Sequence, residues 1–138
     1  MATTTKAKDT QYIETVGRRK EAIARVRLTP APKTSVTING KDITEFFSLE
    51  SLRAIAVDPF LKVALQTQFA VTVIVRGGGI AGQAVAIRHA ISRALTEYDA
   101  ELRGILKKEG FLKRDPRAKE RRKFGFVKAR KRKQWSKR

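Results

Sequence analysis

Gly77-Gly78-Gly79-Ile80-Ala81-Gly82 is the stretch whose residue types and spacing most invite a chemical reading. It satisfies G-x-G-x-x-G, follows a strand pattern and opens a helix pattern, the local context of a loop that cradles a dinucleotide pyrophosphate. Acids stand at a tempting distance at Glu97, Asp99 and Glu101. What should come next is missing. A dinucleotide unit needs a second apolar parallel strand ending near the acid, whereas Tyr98 to Lys108 keeps helical spacing and no later strand pattern appears. Two readings stay open. The glycines permit a sharp strand-to-helix turn with close packing, or their bare N–H groups at a helix N-terminus approach an RNA phosphate.

No catalytic constellation emerges. His89 is the single histidine, with Arg93 one helical turn on, and no carboxylate or hydroxyl nucleophile is placed to form a triad with it. It is either a packing residue or, with Arg93, a contact to phosphate or sugar. One histidine excludes a histidine metal cluster, and the lack of cysteine excludes disulfides and thiolate metal sites. The residues therefore predict no enzyme, no metal and no cofactor. A cysteine-free chain also suits a reducing compartment.

Charge is the stronger signal. The chain carries a formal +18, and residues 107–138 alone hold sixteen Lys or Arg against three acids, a net of +13. The preceding 106 residues are nearly balanced, at +5. A segment of such density, with few apolar residues to bury, is predicted not to fold on itself. It calls for a dense polyanion, and the interleaved Phe124, Phe126 and Trp135 favour nucleic acid, whose bases stack on aromatic rings. For Phe124 and Phe126 the alternative is packing on the body or on an RNA sugar. No apolar run approaches the ~20 residues that cross a bilayer, and no basic amphipathic helix with bulky apolar residues marks a membrane surface binder.

These groups need a scaffold. Tyr12 to Val16 and Glu21 to Leu28 read as strands, the second with Ala22, Ala24, Val26 and Leu28 on one face and Ile23, Arg25 and Arg27 on the other. Gly17-Arg18-Arg19-Lys20 between them reads as a basic turn. Ser35 to Ile38 is a further strand, and Asn39-Gly40 a hairpin turn. Asp42 to Phe47 allows one helical turn. Ser48 or Ser51 could cap a helix through Ala56, with Asp58-Pro59 starting another that runs to about Gln66. Phe69 to Val75 alternates with both faces fairly apolar, as a covered central strand would. A helix from about Ala81 to Tyr98 follows, with Ile80, Ala84, Ile87, Ile91, Leu95 and Tyr98 as its core stripe and Gly82, Val85, Ala86, His89, Ser92 and Arg93 opposite. Asp99 can cap a last helix, Ala100 to about Lys108, that Gly110 ends. Beyond Asp115-Pro116 no period survives. The expectation is a disordered polar leader over 1–10, without the apolar stretch of a secretory signal, one α+β domain over 11–110 with a sheet packed on helices, and an extended basic tail over 111–138.

Three stretches then carry a resemblance. Thr15-Val16-Gly17-Arg18-Arg19-Lys20-Glu21-Ala22-Ile23-Ala24-Arg25-Val26 is similar to the opening of the family of the ninth protein of the small ribosomal subunit. Gly77-Gly78-Gly79, Gly82-Gln83, Ala86, Ile87-Arg88-His89-Ala90 and Arg93-Ala94-Leu95 resemble its most diagnostic stretch. Arg114-Asp115-Pro116-Arg117, Glu120-Arg121-Arg122-Lys123, Lys128-Ala129-Arg130-Lys131 and the closing Ser136-Lys137-Arg138 match its tail. Trp135 departs from the Phe or Tyr more usual there but keeps a stacking surface.

The resemblance, to the bacterial type and over about residues 11–138, implies a structural constituent of the small subunit. Its α+β fold would be of the type shared with the second domain of ribosomal protein S five and with GHMP-type kinases. Ribosomal RNA of the subunit head would be bound through Arg18, Arg19, Lys20, Gly77, Gly78, Gly79, Arg88, His89, Arg93, Arg114 and Arg117. The tail residues Arg121, Arg122, Lys123, Lys128, Arg130, Lys131, Arg132 and Lys133 would continue that contact. Ser136, Lys137 and Arg138 would touch the P-site tRNA during translation. Neighbouring head proteins are implied as further partners, with no homo-oligomer and a cytoplasmic, ribosomal location. Reach permits this, since the 24 residues from Asp115 to Arg138 span roughly 80 Å when extended. Two rivals remain: a free-standing, non-specific RNA-binding protein, and a small phosphotransferase on the shared kinase fold.

Overall fold

A computed structural model describes residues 11–137. The predicted leader over 1–10 and Arg138 lie outside the described residues. Strands β1 (Ile13–Arg19) and β2 (Ala22–Pro30) form an antiparallel hairpin, followed by β3 (Ser35–Ile38), the short β4 (Lys41–Asp42), and helices α1 (Ile43–Phe46) and α2 (Glu50–Val63). Strand β5 (Phe69–Arg76), the long helix α3 (Ile80–Tyr98) and α4 (Leu102–Lys108) complete the body. The sheet order is β1-β2-β5-β3-β4, with β5 antiparallel to β2 and parallel to β3. One face carries α3 against β1 and β2, with α2 and α4 packed on α3. This is the expected α+β arrangement of a sheet on helices.

Alternation decides which side chains meet the helices. Ala22, Ala24, Val26 and Leu28 of β2 and Phe69, Val71, Val73 and Val75 of β5 are all buried. They face Ala84, Ile87, Ala90, Ile91 and Leu95 of α3, in one continuous core that extends to Leu106 and Phe111. Phe111 enters through the end of α4. Its N–H reaches the Leu106 carbonyl and that of Gly110 reaches Lys107, with Gly110 at φ +76°, a glycine-dependent helix termination. Apolar packing thus continues one residue past the predicted domain end, and Leu112 also packs against the core.

Several expectations change. Gly17, Arg18 and Arg19 belong to β1 rather than to a turn. The reversal is the two-residue Lys20–Glu21, with Lys20 in the left-handed region at φ +51°. Asn39-Gly40 does turn the chain, and Asn39 also pairs side-chain to backbone with Val75, accepting at 2.9 Å and donating at 3.1 Å. The two helices predicted around Asp58-Pro59 are one. Proline lacks only a single N–H, and its ring is buried in the core, so packing outweighs the local break. Neither serine caps α2, because Leu49 is its N-cap residue and no side chain closes it. The helix ends at Val63, short of Gln66, on Ala64 at φ +47°. Asp99 accepts from the Glu101 N–H in a turn just ahead of α4. Strand β5 is central, yet among the described residues only one of its faces is covered, for Thr72 and Arg76 on the other are exposed.

Helix α3 buries a broader stripe than predicted. Ile80 and Tyr98 are largely exposed at its ends, while Ala86 and Ser92, read as outward, are buried. The cause lies in β1: a Cβ at Gly17 would stand 2.1 Å from the Ala86 carbonyl oxygen and 2.5 Å from the Ala90 nitrogen. Small residues let helix and strand nearly touch. Thr15, buried in the same seam, donates its hydroxyl to the Ala90 carbonyl at 2.7 Å.

Candidate nucleic-acid interface

The predicted RNA-binding residues divide into three groups. Arg18, Arg19, Arg88, His89 and Arg114 come together around one cleft of about 260 Å³, with Lys113 and Asp115 also at its wall. Five cations against one carboxylate make this cleft an anion trap. Lys113 escaped the sequence reading, although its place beside Arg114, just after a helix-ending glycine, was a usable signal.

His89 is held rather than presented. Its Nδ1 accepts from the Arg18 backbone N–H at 3.5 Å, and the ring is about half buried. Burial, followed by the charges of Arg93, Arg114 and Arg88, lowers its pKa from the ordinary 6.5, while the Leu112 backbone works the other way. Burial and these cations therefore favour the neutral imidazole in the folded protein. A depressed folded-state pKa contributes stability above pH 6.5, and that contribution is lost as pH falls below it and the unfolded chain takes up the proton first. The wild-type urea midpoint should fall between pH 7.5 and pH 5, and His89→Gln should flatten that slope. Identical pH profiles for the two proteins would show that His89 plays no such part.

Arg93 is likewise engaged in the body, donating to the Val16 carbonyl at 2.5 Å. The glycine loop sits away from the cleft. Gly77 and Gly78 have φ of +72° and +66°, and Cβ atoms there would stand 2.7 Å from the Glu21 oxygen and 2.8 Å from the Ala22 nitrogen. Their place is to cross tightly over the β1–β2 turn, with Gln83 donating to the Gly77 carbonyl at 3.2 Å. Lys20 is exposed on that turn.

The tail leaves from a fixed point. Asp115 accepts both from the Arg117 guanidinium, at 2.8–3.1 Å, and from its backbone N–H. Arg19 reaches the same carboxylate at 3.3 Å and the Arg117 carbonyl at 2.8 Å. Arg117, then Arg19, hold the Asp115 carboxyl well below the usual carboxylate range. Beyond it the chain does adopt local structure, contrary to expectation. Strands β6 (Phe126–Lys128) and β7 (Lys131–Arg132) form a small hairpin after Gly125 at φ +77°. Glu120, the one acid in this stretch, bonds Arg130 at 2.8 Å and Lys123 at 3.3 Å, and these bonds, Arg130 first, lower its pKa. Arg132 stacks on Phe126 at 5.5 Å. Nothing in this hairpin is buried. Phe124 is 99% exposed and Trp135 81%, so neither ring packs on the body. Arg121, Arg122, Lys128, Lys131, Arg132 and Lys133 stand on the same exposed stretch, and Ser136 and Lys137 are exposed at its end.

Among the described residues no group of His, Asp or Glu is placed to hold a metal ion, and no helix is long and apolar enough to cross a membrane.

The chain is 53% identical over 124 residues to the small ribosomal subunit protein uS9 of Anaeromyxobacter sp. (strain K), covering 90% of this chain and 95% of the relative. The uS9 protein of Anaeromyxobacter dehalogenans (strain 2CP-1 / ATCC BAA-258) matches to the same extent. The profile of the family described as ribosomal protein S9/S16 spans residues 17–138, from the glycine that seats α3 to the last cation of the tail, and the chain belongs to that family.

Proposed function

We propose that this protein is a structural component of the small ribosomal subunit, whose body grips ribosomal RNA in the subunit head while its tail reaches the P-site tRNA during translation. Membership of the ribosomal protein S9/S16 family makes it a structural protein and not an enzyme. The observation that supports the rest is a division of charge with a fixed boundary. The body ends at the Arg19–Asp115–Arg117 latch, and past it eleven Lys and Arg face only Glu120. Such an arm suits phosphate contact, which positions without reading sequence. The cationic cleft of Arg18, Arg19, Arg88, Lys113 and Arg114 supplies a second phosphate surface on the body. The assignments to Lys20, the glycine loop, His89 and Arg93 remain part of this reading, although their side chains or backbone also serve the fold. The kinship with the second domain of ribosomal protein S five, the neighbouring head proteins as partners and the cytoplasmic location belong to it too.

Deletion of Ser136, Lys137 and Arg138 tests the division of labour. Two cations and the end of the arm would be lost, with the body and its latch intact. Small-subunit assembly should be nearly unchanged while P-site tRNA binding weakens, most visibly at low salt, as filter binding to purified subunits would measure. Blocked assembly with unchanged tRNA affinity would reverse the assignment. Against the rival of a free-standing RNA binder, the protein should stay near-stoichiometric in small subunits through a salt wash.

A further inference from the structure

The sheet has a second face, and nothing among the described residues covers it. Alternation sends Glu14, Val16 and Arg18 of β1, Ile23, Arg25 and Arg27 of β2, and Thr72, Ile74 and Arg76 of β5 to this side. The pairing registers order them into three rows: Arg18–Ile23–Arg76, Val16–Arg25–Ile74 and Glu14–Arg27–Thr72. Arginines thus flank an isoleucine in the first row, and apolar side chains flank an arginine in the second. Neighbours stand ~4.8 Å apart across strands and rows ~6.7 Å apart along them. Val16, Arg18, Ile23, Arg25, Ile74 and Arg76 enclose a shallow depression of about 400 Å³. Ile23 is 46% exposed at its centre.

Charge chooses the occupant. Four guanidinium groups share the face with a single carboxylate. Glu14 binds Arg27 at 2.6 Å and lies 3.8 Å from Arg25, which leaves Arg18 and Arg76 without a carboxylate partner among the described residues. Two such faces repel each other, so a second copy of the chain is a poor partner. Residues 1–10, with Lys6 and Lys8 against Asp9, bring no net negative charge to neutralise it. A strand of RNA fits on both counts. Its phosphates meet guanidinium groups, and a sugar or base face meets an apolar floor between planar Arg side chains that also stack.

We infer that the open face of the sheet is a second RNA-docking surface, with Arg18 and Arg76 binding phosphates on either side of an Ile23 floor. It rests on the reading of the protein as a ribosomal RNA binder and adds a contact on the side away from the helices. Arg25, Arg27 and Arg76 were not among the residues the sequence pointed to. Their outward register was visible in β2, but only the sheet order sets β5 beside it.

The test uses the full chain and small-subunit ribosomal RNA, titrated from 50 to 300 mM salt, with substituted variants and a tail-truncated chain. The double variant Arg18→Ala/Arg76→Ala should lose about tenfold or more in affinity at 100 mM salt, and Arg76→Ala alone, which lies outside the cleft that Arg18 also lines, should lose part of it. Its plot of log affinity against log salt should flatten by about two, one for each phosphate contact removed. Arg18→Lys/Arg76→Lys should recover most of that slope, because a cation suffices for counterion release. Ile23→Asn should weaken binding with little change of slope. Both arginine side chains are exposed, so thermal unfolding should match wild type and exclude a folding defect. Wild-type affinity and slope in the double variant, while a tail-truncated chain still loses both, would overturn the sheet-face assignment and leave the RNA-binding function standing. If neither change affected RNA binding, the functional reading itself would fall. Wild-type RNA affinity combined with loss of the double variant from assembled subunits would place a protein on this face instead, and would equally overturn it.

Discussion

Gly17→Ala should unfold this protein well below the temperature at which the wild type melts. A methyl group there would stand 2.1 Å from one backbone oxygen of α3 and 2.5 Å from a backbone nitrogen. Neither atom belongs to a side chain that can swing aside. Strand and helix must separate by more than an ångström, along the seam that holds Thr15, Ala86 and Ala90. Overpacking a core costs roughly 1–3 kcal/mol where side chains can shift, and a clash with rigid backbone belongs at or beyond the top of that range. For a domain of about 100 residues each kcal/mol moves Tm by about 4–8 °C, so a fall of at least ~12 °C is expected in calorimetry or circular dichroism. Gly104→Ala supplies the opposite sign. Nothing lies within 4 Å of that position inside α4, and alanine is favoured over glycine there by ~1 kcal/mol, so Tm should rise. A Gly17→Ala protein as stable as wild type would mean that α3 does not press on β1 as described.

Ending the chain after Lys119 should cut affinity for small-subunit ribosomal RNA by about a thousandfold at 50 mM salt and largely flatten its salt dependence. The cut removes ten Lys and Arg and one acid, and spares the Arg19–Asp115–Arg117 latch. Six to ten phosphate contacts account for roughly 10³–10⁵ in affinity between 50 and 200 mM salt, so losing most of them removes most of the slope. The body should melt where the full chain melts, since among the described residues no side chain after Phe111 is buried. Unchanged affinity and slope, read by filter binding across a salt series, would show that the arm is not the principal RNA contact. Some of the gain on binding is offset by ordering the segment. The Glu120 bonds to Arg130 and Lys123, and the small hairpin they accompany, set part of that order beforehand.

The three rings of this arm behave differently from one another. Phe126 already carries the Arg132 guanidinium, whereas Phe124 and Trp135 offer open faces to a base. Stacking is worth about 1–3 kcal/mol per base where it occurs. This is the pattern that composition suggested, with the alternative of packing on the body now removed for Phe124.

Much of the scaffold was legible in period alone. Alternation in Ala22 to Leu28 and Phe69 to Val75, the helical stripe through Ala84, Ile87, Ile91 and Leu95, and the Asn39-Gly40 turn all appear where expected, because each is a local rule with one dominant solution. The misreadings occur where a long-range contact overrides a local rule. Pro59 looks like a helix start until burial holds it inside α2. Gly17 looks like a turn residue until its lack of a side chain is seen to serve a helix 69 residues later, at Ala86. The glycine loop, for which the sequence left both a tight turn and an approach to phosphate open, folds closely against the Glu21–Ala22 backbone.

The linear chain determined its own charge division, the absence of thiol and histidine metal chemistry, and the family to which it belongs, since these depend only on which residues occur and in what order. Tertiary structure alone decided that Arg18, Arg19, Arg88 and Arg114 share one cleft, that His89 is half buried with its Nδ1 accepting from the Arg18 backbone, and that among the described residues one face of the sheet is left uncovered, with arginines interleaved among apolar side chains. Those facts rest on which strand lies beside which. Strand order is set by packing energies summed over residues far apart in sequence, which no local spacing records.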